Sequence, residues 1–167
     1  MVLWCYIPKI RLAFAVVAAA TSPGGSPFSS ATFSHTNRTW DDMCRIIGEE
    51  ATAAAEAGRR LRGVFHAFSE DAVTYRKLKA CGDFAFGIGG VVTFRKSKLA
   101  DTVREMELDD IVLETDCPYL TPAPHRGERN ESAYVRFVCE KVAELKGLPP
   151  GEVAAATTAN AKRIFGI

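Results

Sequence analysis

A short apolar run that ends in two carboxylates constrains this chain more than any other stretch of its sequence. Residues 111–113 are Ile-Val-Leu, and Glu114 and Asp116 follow directly. A continuous apolar run of this kind is typical of a strand buried on both faces, as in a parallel sheet. Because side chains alternate along an extended segment, Glu114 and Asp116 point to one face. Carboxylates at the carboxyl end of a buried parallel strand predict a functional site there.

Size, charge and cysteine content narrow the class of protein. The 167 residues suggest one domain, and 47% hydrophobic and 25% charged residues are ordinary values for a globular protein. A net charge of +1 argues against a dedicated DNA-binding domain, although a local cluster of cations would still allow a nucleic-acid substrate. The five cysteines are scattered and contain no CxxC, which favours a reducing compartment over a disulfide framework.

Residues 1–31 differ in composition from the rest of the chain. The apolar run 12–20 follows two basic residues and weakly resembles a signal peptide, but residues 1–7 are apolar and aromatic, unlike a charged n-region. Residues 21–27 have the composition of a linker. We therefore expect residues 1–31 to be a poorly ordered or foreign leader, and residues 32–167 to form the domain. The expected location is cytoplasmic, or nuclear or organellar in a eukaryote.

Strands and helices alternate from Thr32 onward. This order predicts an α/β fold with a parallel sheet and right-handed crossovers. Four such units make half of an eight-stranded barrel, whose usual size is about 250 residues. The expected fold is therefore a partial TIM barrel. The predicted strands are residues 32–35, 63–68, 84–90 and 111–113, and the predicted helices are residues 40–57, 70–82, 97–106, 131–146 and 149 to the C-terminus.

Three of the predicted strands end in residue types that bind metals. His35, His66 and Asp116 each lie at the carboxyl end of a predicted strand, and these ends converge in a parallel barrel. Two imidazoles and a carboxylate suit Zn, Mn or Mg when water fills the remaining positions. A single strand-end histidine is more often a core or hydrogen-bonding residue, so the prediction depends on all three together. Glu114 is either a further ligand or a structural carboxylate paired with Lys or Arg.

The loop 121–130 follows on the same face as Asp116 and offers two alternatives for its polar side chains. Arg126 could hold a substrate phosphate through two parallel hydrogen bonds, with His125 beside it. Alternatively, Arg126 and Asn130 pin the loop by hydrogen bonds to its backbone.

Several segments of the chain together resemble the TatD family of metal-dependent deoxyribonucleases. The resemblance covers about residues 32–167 and is most specific in the acid-bearing strand and the loop after it. It implies a metal-dependent phosphodiesterase on an amidohydrolase-like TIM barrel, with DNA as substrate and metal-activated water as nucleophile. The segments are residues 35–38 (HTNR), 40–42 (WDD), 65–69 (FHAFS), 87–94 (GIGGVVTF), 113–122 (LETDCPYLTP), 125–130 (HRGERN) and 160–166 (NAKRIFG).

The resemblance also implies roles for individual residues. His35 matches the first of the family's two later histidines, His66 the second, and Asp116 the final aspartate, which would bind metal and help position or deprotonate the water. The family also has an HxH pair on its first strand and a glutamate on a middle strand. Neither is present in this chain, whose histidines are His35, His66 and His125. The chain thus resembles the C-terminal half of the enzyme, with three of six expected ligands.

Three functions follow as alternatives from this partial match. The first is a TatD-type nuclease using Mg, Mn or Zn, impaired by the missing ligands. The second is an inactive half-barrel remnant that binds a partner or DNA, and the third is hydrolysis of another ester or amide. A half barrel leaves unpaired strand edges and exposes apolar surface. We therefore expect self-association or a second chain to complete it, unless the sequence is an incomplete gene model or a decayed copy.

Overall fold

The computed structural model of this protein describes residues 12–18, 31–34 and 37–167, with side chains from Trp40 onward. Strands and helices alternate along most of this length, as the sequence predicts. The strands are β1 (Leu12–Ala18), β2 (Ala31–Ser34), β3 (Leu61–Phe65), β4 (Gly82–Ile88) and β5 (Ile111–Leu113). The α-helices are α1 (Asn37–Glu56), α2 (Ala72–Ala80), α3 (Leu99–Glu105), α4 (Val135–Lys146) and α5 (Pro150–Phe165), and 3-10 turns occupy Gly90–Thr93, Leu108–Asp110 and Ser132–Tyr134.

The five strands form one sheet in the order β2-β1-β3-β4-β5. Strands β3, β4 and β5 are parallel, with helices in the connections between them, which confirms the predicted α/β class with a parallel sheet. Strand β1 is antiparallel to both β2 and β3. The sequence does not predict β1 as a strand, and β1 lies between the predicted strand at β2 and the parallel strand β3.

Strand β1 explains this difference. Its seven residues are apolar and belong to the segment expected to be poorly ordered, and here they occupy the edge of β3. The backbone groups of that edge need hydrogen-bond partners, and this apolar run, which contains Phe14, Val16 and Val17, can supply them. Strand β2 therefore pairs with β1 and is not the direct neighbour of β3, which the alternation of strands and helices would predict. The remaining residues of the segment 1–31 lie outside the described part of the chain.

An aromatic cluster on the sheet forms the centre of the hydrophobic core. Phe86 of β4 is fully buried, and its ring centroid lies 5.2 Å from that of Phe65, 4.9 Å from that of Phe68 and 5.0 Å from that of Tyr75. Helix α1 packs onto this cluster through Trp40, whose ring meets Phe68 edge-on. The core thus fixes the relative positions of β3, β4 and the helices that connect them.

Helix α5 anchors the start of the acid-bearing strand. The buried Asn160 donates from Nδ2 to the carbonyl oxygens of Leu108 (2.8 Å) and Ile111 (2.9 Å). At the other end of β5, the amide of Glu114 donates to the carbonyl of Ile88 and so extends the pairing with β4. Strand β5 is therefore held at both ends. Among the described helices, none is long and apolar enough to cross a membrane.

Candidate metal centre

His66 lies between two carboxylates at the carboxyl end of the parallel strands. Its Nδ1 is 2.8 Å from Oε2 of Glu114, and its Nε2 is 3.2 Å from Oδ1 of Asp116. His66 directly follows β3, and both acids follow β5, so the strands on either side of β4 supply the cluster. One ligand atom from each of the three residues lies within 4.8 Å of the others. The structure thus brings together His66, Glu114 and Asp116 at the edge where the sequence predicts a site.

Glycines at the end of β4 make room for both carboxylates. A Cβ atom at Gly87 would overlap with Oε2 of Glu114, and one at Gly89 would lie 3.2 Å from Oδ2 of Asp116. Larger residues at these positions would therefore displace the acids from His66. The glycine-rich end of β4 serves to admit side chains from the neighbouring strand.

The backbone of Ala67 holds the second oxygen of Glu114. Its amide donates a 2.6 Å hydrogen bond to Oε1 of Glu114, while Oε2 faces His66. Ala67 has a φ of 52°, a left-handed conformation that non-glycine residues rarely adopt. The sequence does not indicate a role for Ala67, because alanine carries no signal for a positive φ.

Burial and the two carboxylates set the charge of His66. The side chains of His66, Glu114 and Asp116 are 18%, 16% and 6% exposed. Burial by itself lowers the pKa of His66, but hydrogen bonds to Asp116 and Glu114 outweigh it and raise this pKa to about 10. Burial also raises the pKa of Glu114, against the opposing effect of His66. The two acids thus favour a positive charge at the position between them, here on the protonated ring of His66.

The donor set fits a divalent metal ion. One imidazole nitrogen and carboxylate oxygens are ligands that Zn and Mn accept, and Mg accepts the carboxylates. In metal sites, the second ring nitrogen of a histidine ligand commonly donates to a carboxylate that fixes its tautomer and orientation. Glu114 on Nδ1 has the position of such an orienting group, which leaves Nε2 and Asp116 side by side as ligands. Among the side chains that the structure describes, Glu114 pairs with a histidine and not with the Lys or Arg of the structural alternative.

Of the two other histidines among the predicted site residues, the structure describes only His125. His35 lies outside the described residues, so its place beside His66 stays a prediction. His125 sits on the loop after β5, where Nδ1 is 3.0 Å from Oε2 of Glu128 and the ring stacks on Tyr134 at 4.5 Å between centroids. His125 therefore has protein partners of its own outside the cluster.

Arg126 and Asn130 hold the loop after Asp116 in shape. Arg126 donates from Nη1 to the carbonyl of Thr121 at 2.9 Å, and its guanidinium lies 3.7 Å from the ring centroid of Phe94. The buried Asn130 donates from Nδ2 to the carbonyl of Tyr119 at 2.6 Å. Both residues thus make the hydrogen bonds to the loop backbone that the second alternative predicts. Arg126 is nevertheless exposed, so a contact with substrate phosphate stays a proposal.

Comparisons with known proteins agree with this arrangement. A Bacillus subtilis (strain 168) protein named uncharacterized metal-dependent hydrolase YabD is 40% identical over 134 residues, which are 80% of this chain and 50% of that protein. The Escherichia coli (strain K12) protein named uncharacterized metal-dependent hydrolase YcfH is 42% identical over 134 residues, covering 80% of this chain and 48% of that protein. The crystal structure of YJJV, a TatD homologue from Escherichia coli K12, superposes with a TM-score of 0.67 at 26% identity, covering 78% of this chain and 48% of that chain.

The family profile matches most of the chain. The chain spans about half the length of the curated relatives that it matches. The sequence profile described as "TatD related DNase" matches residues 28–166, which include β2 through α5 and the whole His66 cluster. This range agrees with the resemblance seen in the sequence motifs. The chain therefore belongs to the TatD related DNase family.

Proposed function

We propose that this chain carries part of the metal centre of a hydrolase that cleaves DNA phosphodiester bonds. The observation that carries the proposal is the position of His66, with a carboxylate against each ring nitrogen at the carboxyl end of β3 and β5. The family supports the reaction class, because the relatives YabD and YcfH are named metal-dependent hydrolases. The family's description as a DNase supports DNA as the substrate.

Each residue of the cluster has a proposed task. His66 through Nε2, Asp116 and His35 would hold a divalent ion (Mg, Mn or Zn), and Glu114 would orient His66 through Nδ1 or add a ligand. Such an ion, when bound, lowers the pKa of a coordinated water and polarises a phosphoryl oxygen. Asp116 is then placed to position the attacking water and to accept its proton. Arg126, with His125 on the same loop, would contact the substrate phosphate.

The architecture in which this centre would work is a TIM barrel, of which the chain forms roughly the last four β/α units. Two observations support this proposal: three adjacent strands are parallel, and the chain spans about half of its relatives. Strand β5 is the last strand in the order of the described sheet, so one of its edges has no described partner strand. A second chain, or a second copy of this one, would complete the barrel there.

A non-catalytic function is the alternative that one observation favours. The 167 residues contain three histidines and no HxH pair, so a site built from this chain has few nitrogen ligands. Under this alternative the chain binds a partner or a nucleic acid without cleaving it.

A nuclease assay separates the two functions. The purified chain is incubated with a labelled oligonucleotide and Mg, Mn or Zn, beside Asp116→Asn and the control Asp109→Asn, whose carboxylate lies on the exposed turn before β5. Metal-dependent cleavage that Asp116→Asn abolishes and Asp109→Asn retains supports the hydrolase. A folded, soluble chain that cleaves nothing under any of these metals supports the non-catalytic alternative.

A further inference from the structure

A single buried side chain, that of Asn130, is hydrogen-bonded to the turn that carries Asp116. Asn130 is 3% exposed, and its Nδ2 donates to the carbonyl of Tyr119 at 2.6 Å and to Oγ1 of Thr115 at 3.0 Å. Its backbone amide donates to the carbonyl of Pro118 at 3.0 Å. Thr115 comes directly before Asp116 in the chain, and the two bonded carbonyls come after it. Asn130 therefore holds the chain on both sides of Asp116, in the segment 115–119 that we call the Asp116 turn.

The Asp116 turn lies beyond the pairing of β5 with β4. Strand β5 ends at Leu113, and its pairing with β4 extends to the amide of Glu114. Within the turn, the amide of Tyr119 donates to the carbonyl of Asp116 at 2.8 Å, and this bond closes residues 116–119. Because the turn follows the paired part of the strand, its position depends on the hydrogen bonds that it receives from Asn130.

Gly90 supports the chain directly after the Asp116 turn from the side of β4. A Cβ atom at Gly90 would overlap with the carbonyl oxygen of Leu120 and would lie 3.2 Å from the backbone nitrogen of Pro122. The backbone after the turn therefore packs directly against this glycine. Leu120 has a φ of 52°, a conformation that persists in a non-glycine residue only where its surroundings fix it. Asn130 and Gly90 are two such fixed points, on opposite sides of the segment.

A displaced turn would displace the carboxylate of Asp116. The side chain of aspartate is short, so a movement of its backbone passes almost directly to the carboxylate oxygens. This side chain is 6% exposed and its Oδ1 lies 3.2 Å from Nε2 of His66, so it has little room to adjust. Metal ligands must lie within about 0.2 Å of their proper distances. The shape of the Asp116 turn is therefore a condition for metal binding by Asp116.

We infer that Asn130 is a positioning residue for Asp116. Its hydrogen bonds fix the Asp116 turn, and the turn sets the place of the carboxylate as a metal ligand. The inference rests on the proposed function, which assigns Asp116 to the metal. Groups that orient a ligand typically change metal affinity by about 10–100-fold when they are lost. Asn130 thus affects the metal centre through the backbone of the turn.

The test compares two buried asparagines that make similar hydrogen bonds. Asn130→Ala removes the two bonds that Nδ2 donates to the Asp116 turn. The control Asn160→Ala also removes two bonds donated by Nδ2, but at the start of β5, away from the turn. Each chain is titrated with Co²⁺, whose visible absorption depends on coordination geometry. In a parallel sample with a chelator, nuclear magnetic resonance follows hydrogen exchange at the amide of Tyr119.

A second variant covers the case in which Asn130→Ala does not fold. Asn130→Ser keeps a polar group in the buried site, and its hydroxyl has one donor, which can serve at most one of the two partners. Circular dichroism and urea unfolding verify the fold of every protein and compare the losses of stability. If Asn130→Ala is unfolded, Asn130→Ser takes its place in each comparison.

Asn130→Ala should bind Co²⁺ at least about tenfold more weakly than the wild type, with a changed visible spectrum, and the amide of Tyr119 should exchange faster. Asn160→Ala should lose stability but keep the wild-type spectrum, with an affinity within about threefold. A wild-type spectrum and affinity in Asn130→Ala, or equal changes in Asn160→Ala, would overturn the inference and leave the proposed metal centre standing. Faster exchange in Asn130→Ala, in chains that bind no Co²⁺, would reject the metal centre and leave the role of Asn130 in fixing the turn standing.

Discussion

The amide of Ala67 donates a 2.6 Å hydrogen bond to Oε1 of Glu114 from a left-handed backbone conformation. The carboxylate of Glu114 is thereby held at both oxygens, by a backbone group on one side and by His66 on the other. Glu114 in turn faces Nδ1 of His66 and so fixes the ring whose Nε2 approaches Asp116. The conformation of one alanine therefore contributes to the geometry of the whole cluster.

Substitutions at Ala67 are expected to change stability in a way that depends on the shape of the new side chain. Ala67→Val should destabilise the chain by about 1–2 kcal/mol, because a β-branched residue is strained at positive φ. Ala67→Gly should leave stability unchanged or raise it slightly, since glycine adopts this conformation freely. The measurement is urea unfolding. As a control, Ala53→Gly on the exposed face of α1 should lower the free energy of unfolding by about 1 kcal/mol. A similar loss of stability in Ala67→Gly would contradict the left-handed conformation of Ala67.

Gly87→Ala tests whether the end of β4 makes room for the acid. Its Cβ would overlap with Oε2 of Glu114, so the variant should displace that carboxylate and weaken divalent-metal binding by about tenfold or more. Gly48→Ala is the control, because a Cβ there meets nothing within 4 Å and lies within helix α1. It should leave metal binding unchanged and raise stability by about 0.5–1 kcal/mol. Calorimetric titration combined with thermal unfolding measures both effects, and wild-type metal affinity in Gly87→Ala would refute the steric argument.

When a chelator keeps metal away, the protonation of His66 is expected to make the free energy of unfolding depend on pH. The pKa of His66 rises from 6.5 to about 10 in the folded chain, so its stabilising contribution is full below pH 6.5 and is lost as the pH rises through 10. His66→Gln should be less stable than the wild type by about 3 kcal/mol at neutral pH, because it leaves two carboxylates without their cation. Urea unfolding from pH 6 to pH 10 should show this difference shrinking. A difference that stays constant or grows with pH would contradict a protonated His66.

Asn160 is expected to stabilise the folded chain by anchoring the start of β5, the strand that carries the acids of the site. Asn160→Ala removes both donors to the carbonyls of Leu108 and Ile111 and should destabilise the chain by about 2–4 kcal/mol. Thr158→Ala, on the exposed face of the same helix, should change stability by less than about 0.5 kcal/mol. Chemical denaturation of the two variants provides the comparison. Equal effects would show that the buried amide does not anchor β5.

The sequence predicts the elements that have a regular pattern. The alternation of apolar strands and helices from Thr32 onward is confirmed, and two of the three residues predicted as ligands at strand ends, His66 and Asp116, lie close together. The prediction succeeds because parallel strands place their carboxyl ends at one edge, whatever the details of packing. The role of His35 as the third ligand stays a prediction.

Features that depend on tertiary contacts could not be predicted in this way. The position of β1 follows from competition for the edge of β3, and nothing local in residues 12–18 specifies it. The pairing of Glu114 with His66 joins residues that are 48 positions apart. The stacking of Arg126 on Phe94 is likewise a contact between two loops. Periodicity and composition describe single segments, and these three features arise only between segments.

The most direct test of the account is calorimetric titration of Mn²⁺ into the metal-free chain, its Asp116→Asn variant and the Asp109→Asn control. The wild type and Asp109→Asn should each bind metal with a dissociation constant weaker than about 1 μM, because the chain supplies few ligands. Asp116→Asn should show no saturable binding. Equal binding curves for Asp116→Asn and the wild type would contradict the assignment of His66, Glu114 and Asp116 as a metal centre.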